Sequence, residues 1–269
     1  MNAVDDSALQ SAAAGAGPAP QGEATPWAAE VLRRGITAGR LLPGTKLSEA
    51  QVSRVLGISR NTLREAFTAL ADENLLTRVP NRGVFVARPG ADEVQEVYRV
   101  RLALETSALR WAQPGPQPEL QAAVRAGRAA RERGDVRGMA DANQRFHRAV
   151  VGLAGSARQD ELMDRILAEM RLVFFSMRED PSFHEPYLER NARILALFEA
   201  GHREEAALEM EDYLRVSREQ LLGALEECPA ARTGAGSWSR GVPGALPGGA
   251  PGTVAGTVTA PGTASSGRR

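Results

Sequence analysis

The chain of 269 residues has a single cysteine, Cys228, which excludes a disulfide framework and any zinc module built on cysteines. No apolar run of roughly 18 residues occurs, so no membrane-spanning helix is predicted. The N-terminus, MNAVDDSALQ, has no basic segment followed by an apolar one, so it does not resemble a secretory signal, and we expect a cytoplasmic protein. GxSxG, P-loop and GxGxxG motifs are absent, as is a cysteine–histidine pair, so no catalytic residues and no enzyme are expected.

The net charge of zero conceals an uneven distribution of charge along the chain. Residues 26–88 carry ten Lys/Arg and five Asp/Glu, whereas residues 89–228 carry nineteen Arg and twenty-five Asp/Glu. The excess of positive charge in residues 26–88 favours binding to a polyanion, whereas the excess of negative charge in residues 89–228 would repel one.

The two ends of the chain differ in composition from its middle. Residues 1–25 and 229–269 are rich in small residues and proline and contain few large apolar groups. Such segments bury too little surface to offset the entropy of ordering, so both are predicted to be disordered. The remainder divides into a module at 26–89 and a second module at 90–228.

The first module has the pattern of three helices and a hairpin. The helices are predicted at about 26–39, 48–56 and 60–73, and the strands at 75–79 and 84–87. Only the turn Leu56-Gly57-Ile58-Ser59 separates the second and third helices, which is the spacing of a helix-turn-helix. We therefore predict an N-terminal winged helix-turn-helix with a two-stranded wing.

The third helix keeps its apolar side inward and leaves polar side chains outward near its beginning. In this motif that part of the helix enters the major groove, where arginine recognises guanine and asparagine recognises adenine. Ser59 and the free N–H groups at the helix N-terminus can bind a phosphate oxygen, and the tip of the hairpin can reach the neighbouring minor groove. The candidate DNA-binding residues are Ser59, Arg60, Asn61, Thr62, Arg64, Arg82 and Gly83. The alternative is a basic helix face that is merely solvated.

Everything readable in the second module is helical. Six helices are predicted, at about 92–111, 119–132, 137–154, 158–178, 187–200 and 203–226. Prolines and glycines separate them, including Pro181 and Pro186 before the fifth helix. No fixed period recurs, so the fold class is mostly α, with a bundle of six to seven helices following the winged helix-turn-helix.

Stretches of both modules resemble a known family of proteins. The runs SRNTLREAFTAL and PNRGVFV resemble the winged helix-turn-helix of GntR-family transcription regulators. The region beginning VYRVRLALE is similar to the FCD-type effector domain of the FadR subgroup. The resemblance implies DNA contacts by Arg60, Thr62, Arg64 and Gly83, with Arg54 near the DNA backbone.

The same resemblance implies how such a chain works. It implies a homodimer on a pseudo-palindromic double-stranded operator and a small effector, such as an organic acid, bound in the helical domain. A repressor is the expected role, and an activator is the alternative. No membrane partner is expected. An architectural DNA-binding protein without an effector, and an enzyme built on the helical domain, are the alternatives.

Many effector domains of this type hold a divalent metal with one aspartate and three histidines. The corresponding positions here are Asn143, His147, Asn191 and Tyr213, so only His147 remains as a strong ligand. We therefore expect no metal cofactor and predict that these four side chains bind the effector directly. Arg101 is a fifth candidate, which can pair with a carboxylate ligand or with Glu105 one helical turn away.

Overall fold

The computed structural model describes residues 4–176 and 181–227. The predicted disordered tail at 229–269, with Cys228, lies outside these residues. Within them the chain forms ten helices and three short strands. In chain order these are α1 (Asp6–Ala13), α2 (Ala24–Thr37), β1 (Lys46–Leu47), α3 (Glu49–Leu56), α4 (Arg60–Asp72), β2 (Leu76–Val79), β3 (Gly83–Val86), α5 (Ala91–Trp111), α6 (Pro118–Glu132), α7 (Val136–Gly152), α8 (Ala157–Ser176), α9 (Pro181–Glu199) and α10 (Arg203–Glu227).

The expectation of a disordered N-terminal segment, residues 1–25, is wrong for the part that forms α1. The Asp5 carboxylate caps α1, and Leu9 and Ala12 are buried against α2 and α3. Ala12 packs so closely that a Cβ built on Gly35 of α2 would lie 2.6 Å from the Ala12 Cβ. Composition alone misled the prediction, because an alanine-rich helix with one leucine packs well when a glycine faces it.

The helix-turn-helix forms as predicted. Gly57 ends α3 in the left-handed conformation, with φ of 67°, and Ser59 caps α4. Ile58 packs between the two helices, against a core that includes Phe67. These local contacts fix the angle at which α4 projects from the module.

The sheet has one strand more than expected. β2 and β3 form the predicted hairpin, and Pro80 and Asn81 (φ of 60°) occupy the positions typical of a type II turn. The pair Lys46–Leu47 adds a third antiparallel strand beside β3, in the order β1-β3-β2. Two residues are too few to show an alternating pattern, so the sequence did not indicate β1.

Helices α5 to α10 form the predicted all-helical bundle. α5 packs along α10 and α6 along α7 around an apolar core that includes Phe146 and Phe198. One prediction was wrong, since α9 begins at Pro181 and Pro186 lies inside it. Pro186 is the sixth residue of this helix, beyond the first turn, and as a proline it has no N–H to donate to the carbonyl four residues earlier.

Helix α8 joins the bundle to the winged helix-turn-helix. Leu172 is fully buried in the apolar core of the winged module, and Phe175 lies against Gly39. Asn74, just after α4, donates a hydrogen bond of 2.7 Å from Nδ2 to Glu169 Oε1. A single helix therefore contacts both apolar cores.

Candidate DNA-binding surface and effector site

The beginning of α4 presents the predicted recognition residues on the outside of the module. Ser59 Oγ accepts a hydrogen bond of 3.1 Å from the Thr62 N–H and holds the first turn. Leu63 is fully buried, so the helix cannot rotate without exposing its apolar side. Arg60 and Asn61 are exposed at the beginning of the helix, as the interpretation of the motif requires.

Arg64 has an intramolecular partner but stays accessible. Its Nε donates a hydrogen bond of 2.9 Å to Glu49 Oε2, while the side chain remains 61% exposed. An exposed ion pair of this kind contributes about 0–1 kcal/mol, so a DNA phosphate or base edge can replace the carboxylate. The Arg64 guanidinium is therefore still accessible to a partner outside the protein.

The remaining DNA-binding candidates lie on α3 and at the hairpin tip. Arg54 is exposed on α3 and pairs with Asp6 of α1. Arg82 and Gly83 are exposed at the tip between β2 and β3, where Gly83 has φ of 108°. Such a φ favours glycine and keeps the tip free of bulk.

The five predicted effector residues meet inside the bundle in one hydrogen-bonded chain. Arg101 Nε donates to Glu105 Oε1 at 2.8 Å, and Glu105 Oε2 lies 2.6 Å from His147 Nδ1. His147 Nε2 lies 3.0 Å from the Tyr213 hydroxyl. Helices α5, α7 and α10 thus each contribute to this chain.

Two asparagines extend the chain to α9. The Tyr213 hydroxyl donates to Asn143 Oδ1 at 3.0 Å, and Asn191 Nδ2 donates to the same oxygen at 2.7 Å. Since a hydroxyl has one hydrogen, Tyr213 donates to Asn143 or to His147 at any moment.

Glu105 was considered only as an ion-pair partner, yet it lies at the centre of the network. Its side chain is fully buried, and its two oxygens bind different partners, Arg101 and His147. One signal was available: an acid on a helix face shared with apolar residues such as Val94 and Leu109. A buried carboxylate requires paired partners, and both partners are polar residues that the sequence had already singled out.

The surroundings shift the titration of these groups. Burial lowers the pKa of His147, and the nearby Arg101 lowers it further, against the opposing effect of Glu105. Burial raises the pKa of Tyr213 well above 10. Burial would also raise the pKa of Glu105, but Arg101 and His147 outweigh that effect and hold it below 4.5. Glu105 is therefore an ionised carboxylate that lies beside the Arg101 guanidinium.

Two polar atoms in this network have no hydrogen-bond partner among residues 4–176 and 181–227. They are Arg101 Nη2 and Asn191 Oδ1, on side chains that are each about 3% exposed. One is a charged donor and the other a neutral acceptor, and each belongs to an end of the hydrogen-bonded chain. Buried polar atoms left unpaired are destabilising, so they mark where a bound molecule can form hydrogen bonds.

The residues at the family's metal positions do not fit a metal. Within 4–176 and 181–227, no group of three or more His, Cys, Asp or Glu is arranged to hold one. Both nitrogens of His147 are engaged, by Glu105 and by Tyr213, so neither lone pair faces a shared coordination site. Neutral amides and a phenol of raised pKa are poor ligands beside one imidazole.

No helix in the described part of the chain combines the length and the apolar character needed to cross a bilayer.

Two family models match the two modules. The model described as "Bacterial regulatory proteins, gntR family" matches residues 27–86, and the model of the FCD domain matches residues 96–216. The first range contains the helix-turn-helix and its wing. The second contains all five predicted effector residues.

Known proteins give the same assignment. An HTH-type transcriptional regulator of Agrobacterium vitis is 32% identical over 130 residues, covering 46% of this chain and 76% of its own length. The HTH-type transcriptional regulator McbR of Escherichia coli K12 is 25% identical over 179 residues, covering 64% and 81%. A solved GntR transcriptional regulator from Rhodococcus sp. RHA1 is 37% identical, with a TM-score of 0.70 over 74% of this chain and 98% of that one. The chain is therefore a transcription regulator of the GntR family, with a helix-turn-helix DNA-binding domain and an FCD domain.

Proposed function

We propose that the protein is a repressor that binds a pseudo-palindromic operator as a homodimer and changes its affinity when a small organic acid enters the helical domain. The observation that carries the DNA-binding part is the exposure of Arg60, Asn61 and Arg64 on the outward face of α4. These side chains match the donors that read guanine and adenine in a major groove. Two copies related by a two-fold axis would read two half-sites.

The unpaired atoms of the buried network support the effector part of the proposal. Arg101 Nη2 suits a carboxylate oxygen, and Asn191 Oδ1 suits a hydroxyl or amino hydrogen. A hydroxy acid or an amino acid carries both kinds of group. The proposal places no metal in this site, because Arg101 Nη2 would donate to the ligand carboxylate directly.

The DNA part is tested by electrophoretic mobility shift with the DNA upstream of the protein's own gene. We expect a complex that survives excess unrelated duplex, because base contacts discriminate between sequences whereas phosphate contacts do not. Equal competition by unrelated duplex would overturn the proposal of a sequence-specific regulator.

The effector part is tested on protein treated with a chelator, by thermal shift against a panel of small carboxylic acids. We expect at least one hydroxy or amino acid to raise the melting temperature and to change operator affinity. The matched acid without the hydroxyl or amine should be weaker, and Asn191→Ala should remove that preference. A response that disappears with the chelator and returns with a divalent metal would overturn the metal-free site.

A second candidate is an architectural DNA-binding protein whose helical domain binds nothing. The observation that favours it is the mutual hydrogen bonding of Asn143, His147 and Tyr213, which occupies most of the polar groups of the network. This candidate predicts that no acid in the panel changes either the melting temperature or the DNA affinity.

A further inference from the structure

Helix α1 places a carboxylate against Gln51 and Arg54 of α3, the helix that crosses the DNA backbone in a helix-turn-helix. Arg54 Nη2 donates to Asp6 Oδ2 at 2.9 Å and lies 3.2 Å from Oδ1. Gln51, one turn earlier on α3, donates from Nε2 to Asp6 Oδ1 at 2.7 Å. A single acid therefore engages both an arginine and an amide on this helix.

The chain on either side of Asp6 is anchored, so the carboxylate is held in place. The Val4 N–H donates to the Lys46 carbonyl at 3.1 Å, and Gln51 Nε2 donates to the Val4 carbonyl at 3.0 Å. Leu9, one turn after Asp6, is fully buried. These contacts hold the segment on the folded module and keep Asp6 next to Arg54.

The contacts made by Asp6 are those that a phosphate group makes. Two oxygens of an anion face one guanidinium, and an amide N–H completes the set. Hydrogen bonds from Gln51 and Arg54 lower the pKa of Asp6, so the group is ionised at neutral pH. Residues 1–25 carry three acids and no base, so the surrounding segment also repels a polyanion.

We propose that α1 is an internal competitor for DNA, in which Asp6 occupies Arg54 and Gln51 until a DNA phosphate displaces it. The inference rests on the proposed function, because it concerns the DNA-binding surface. The ion pair is displaceable, since the side chains of Asp6 and Arg54 are 41% and 67% exposed. The competitor therefore reduces affinity without abolishing binding.

The central test is Asp6→Asn, which removes the charge but keeps an oxygen for Gln51. From the strength of exposed ion pairs we expect binding to tighten by about two- to fivefold at low salt. The gain should shrink as salt screens the lost pair. It should be equal on an operator and on unrelated duplex, because phosphate contacts carry no sequence information. Glu23→Gln is the matched control, as it removes the same charge from an exposed position just before α2.

A double-mutant cycle assigns the effect to Arg54. In an Arg54→Ala background, Asp6→Asn should change affinity no more than Glu23→Gln does. Unchanged or weaker binding of Asp6→Asn, an equal gain from Glu23→Gln, or a gain that persists without Arg54 would each overturn the inference. Loss of sequence preference in the wild-type protein would instead overturn the proposed function. The two outcomes are distinguishable, because the increased affinity of Asp6→Asn for unrelated duplex does not depend on sequence preference.

Discussion

Arg64 illustrates how one exposed side chain can be both paired within the protein and ready for DNA. Its bond to Glu49 is made at the surface, where water screens the attraction and a stronger set of acceptors can replace it. On an operator, the two acceptors of a guanine edge offer a bidentate geometry that one carboxylate oxygen does not.

We predict that Arg64→Ala weakens operator binding by about 1–3 kcal/mol and relaxes the preference at one base position. Fluorescence anisotropy on a set of single-base operator variants measures both effects. The exposed Arg125 of α6 provides the control, since Arg125→Ala makes the same change on the helical domain. An Arg64→Ala protein with unchanged affinity would exclude this arginine from base recognition.

The buried ion pair of Arg101 and Glu105 leads to a second prediction at the scale of the residue. Arg101→Met should lower the free energy of unfolding by about 3–5 kcal/mol, because it leaves the Glu105 carboxylate buried without its cation. The double variant with Glu105→Gln should recover part of this loss. Urea denaturation of the single and double variants measures the difference, and equal stability of the two proteins would contradict the prediction.

His147 makes the stability of the helical domain depend on pH. Burial depresses its pKa below 6.5 in the folded state, so on acidification the unfolded chain takes up a proton first. Its contribution to stability is therefore complete above pH 6.5 and is lost as the pH falls toward the folded pKa.

The expected result is a fall in the free energy of unfolding between about pH 7.5 and about pH 5.5 that is smaller in His147→Gln than in the wild-type protein. The window lies above the range in which ordinary carboxylates titrate. His202→Gln serves as the control, since His202 is an exposed histidine of the same domain. Parallel pH profiles for wild type and His147→Gln would rule out the effect.

Among the elements, the contact between α1 and α2 depends on the absence of one methyl group. Gly35 lies in helical backbone, so alanine there should stabilise α2 by about 0.5–1 kcal/mol when nothing opposes it. The Ala12 Cβ, only 2.6 Å from the added methyl, cannot move without its backbone.

We predict that Gly35→Ala displaces α1 and increases hydrogen exchange across Asp6–Ala13. The double variant Ala12→Gly with Gly35→Ala moves the methyl group to the other helix and should restore much of the protection. Unchanged exchange in Gly35→Ala would show that the contact between the helices does not depend on this glycine.

Elements with a strong local pattern could be predicted from the sequence to within a few residues. The helix-turn-helix is fixed by an apolar stripe, a glycine turn and a serine cap, all within a short stretch. Helix α1 and strand β1 could not be predicted in this way, because each is stabilised mainly by what it packs against. Pro186 misled the prediction of α9 because a proline usually marks a helix boundary, whereas this one lies inside the helix.

At the scale of the whole molecule, α8 is the direct contact between the effector domain and the DNA-binding domain. Leu172 is buried in the core of the winged module, whereas Leu167, on the same helix, is buried in the core of the bundle. Leu172 and the hydrogen bond from Asn74 to Glu169 therefore connect the bundle directly to the winged module.

We predict that Leu172→Ala and Leu167→Ala each lower the free energy of unfolding by about 2–5 kcal/mol. Only Leu172→Ala should also reduce the change in operator affinity caused by the effector, because it loosens the contact between the domains. Operator titrations with and without the effector measure this coupling. A coupling that is reduced equally in both variants would argue against a specific role for α8.

Hydrophobic period, turn residues and charge distribution are local properties, and they were sufficient to predict the two modules and the outward side of α4. The family was indicated by the resemblance of runs such as SRNTLREAFTAL and PNRGVFV. The effector network and the docked α1 required the folded molecule, since they join side chains far apart in the chain, such as His147 and Tyr213, which are 66 positions apart. Their contacts depend on how helices pack against one another. For the same reason, the sequence indicated Glu105 as one partner of Arg101, but only the packing of α5 against α7 brought its other oxygen to His147.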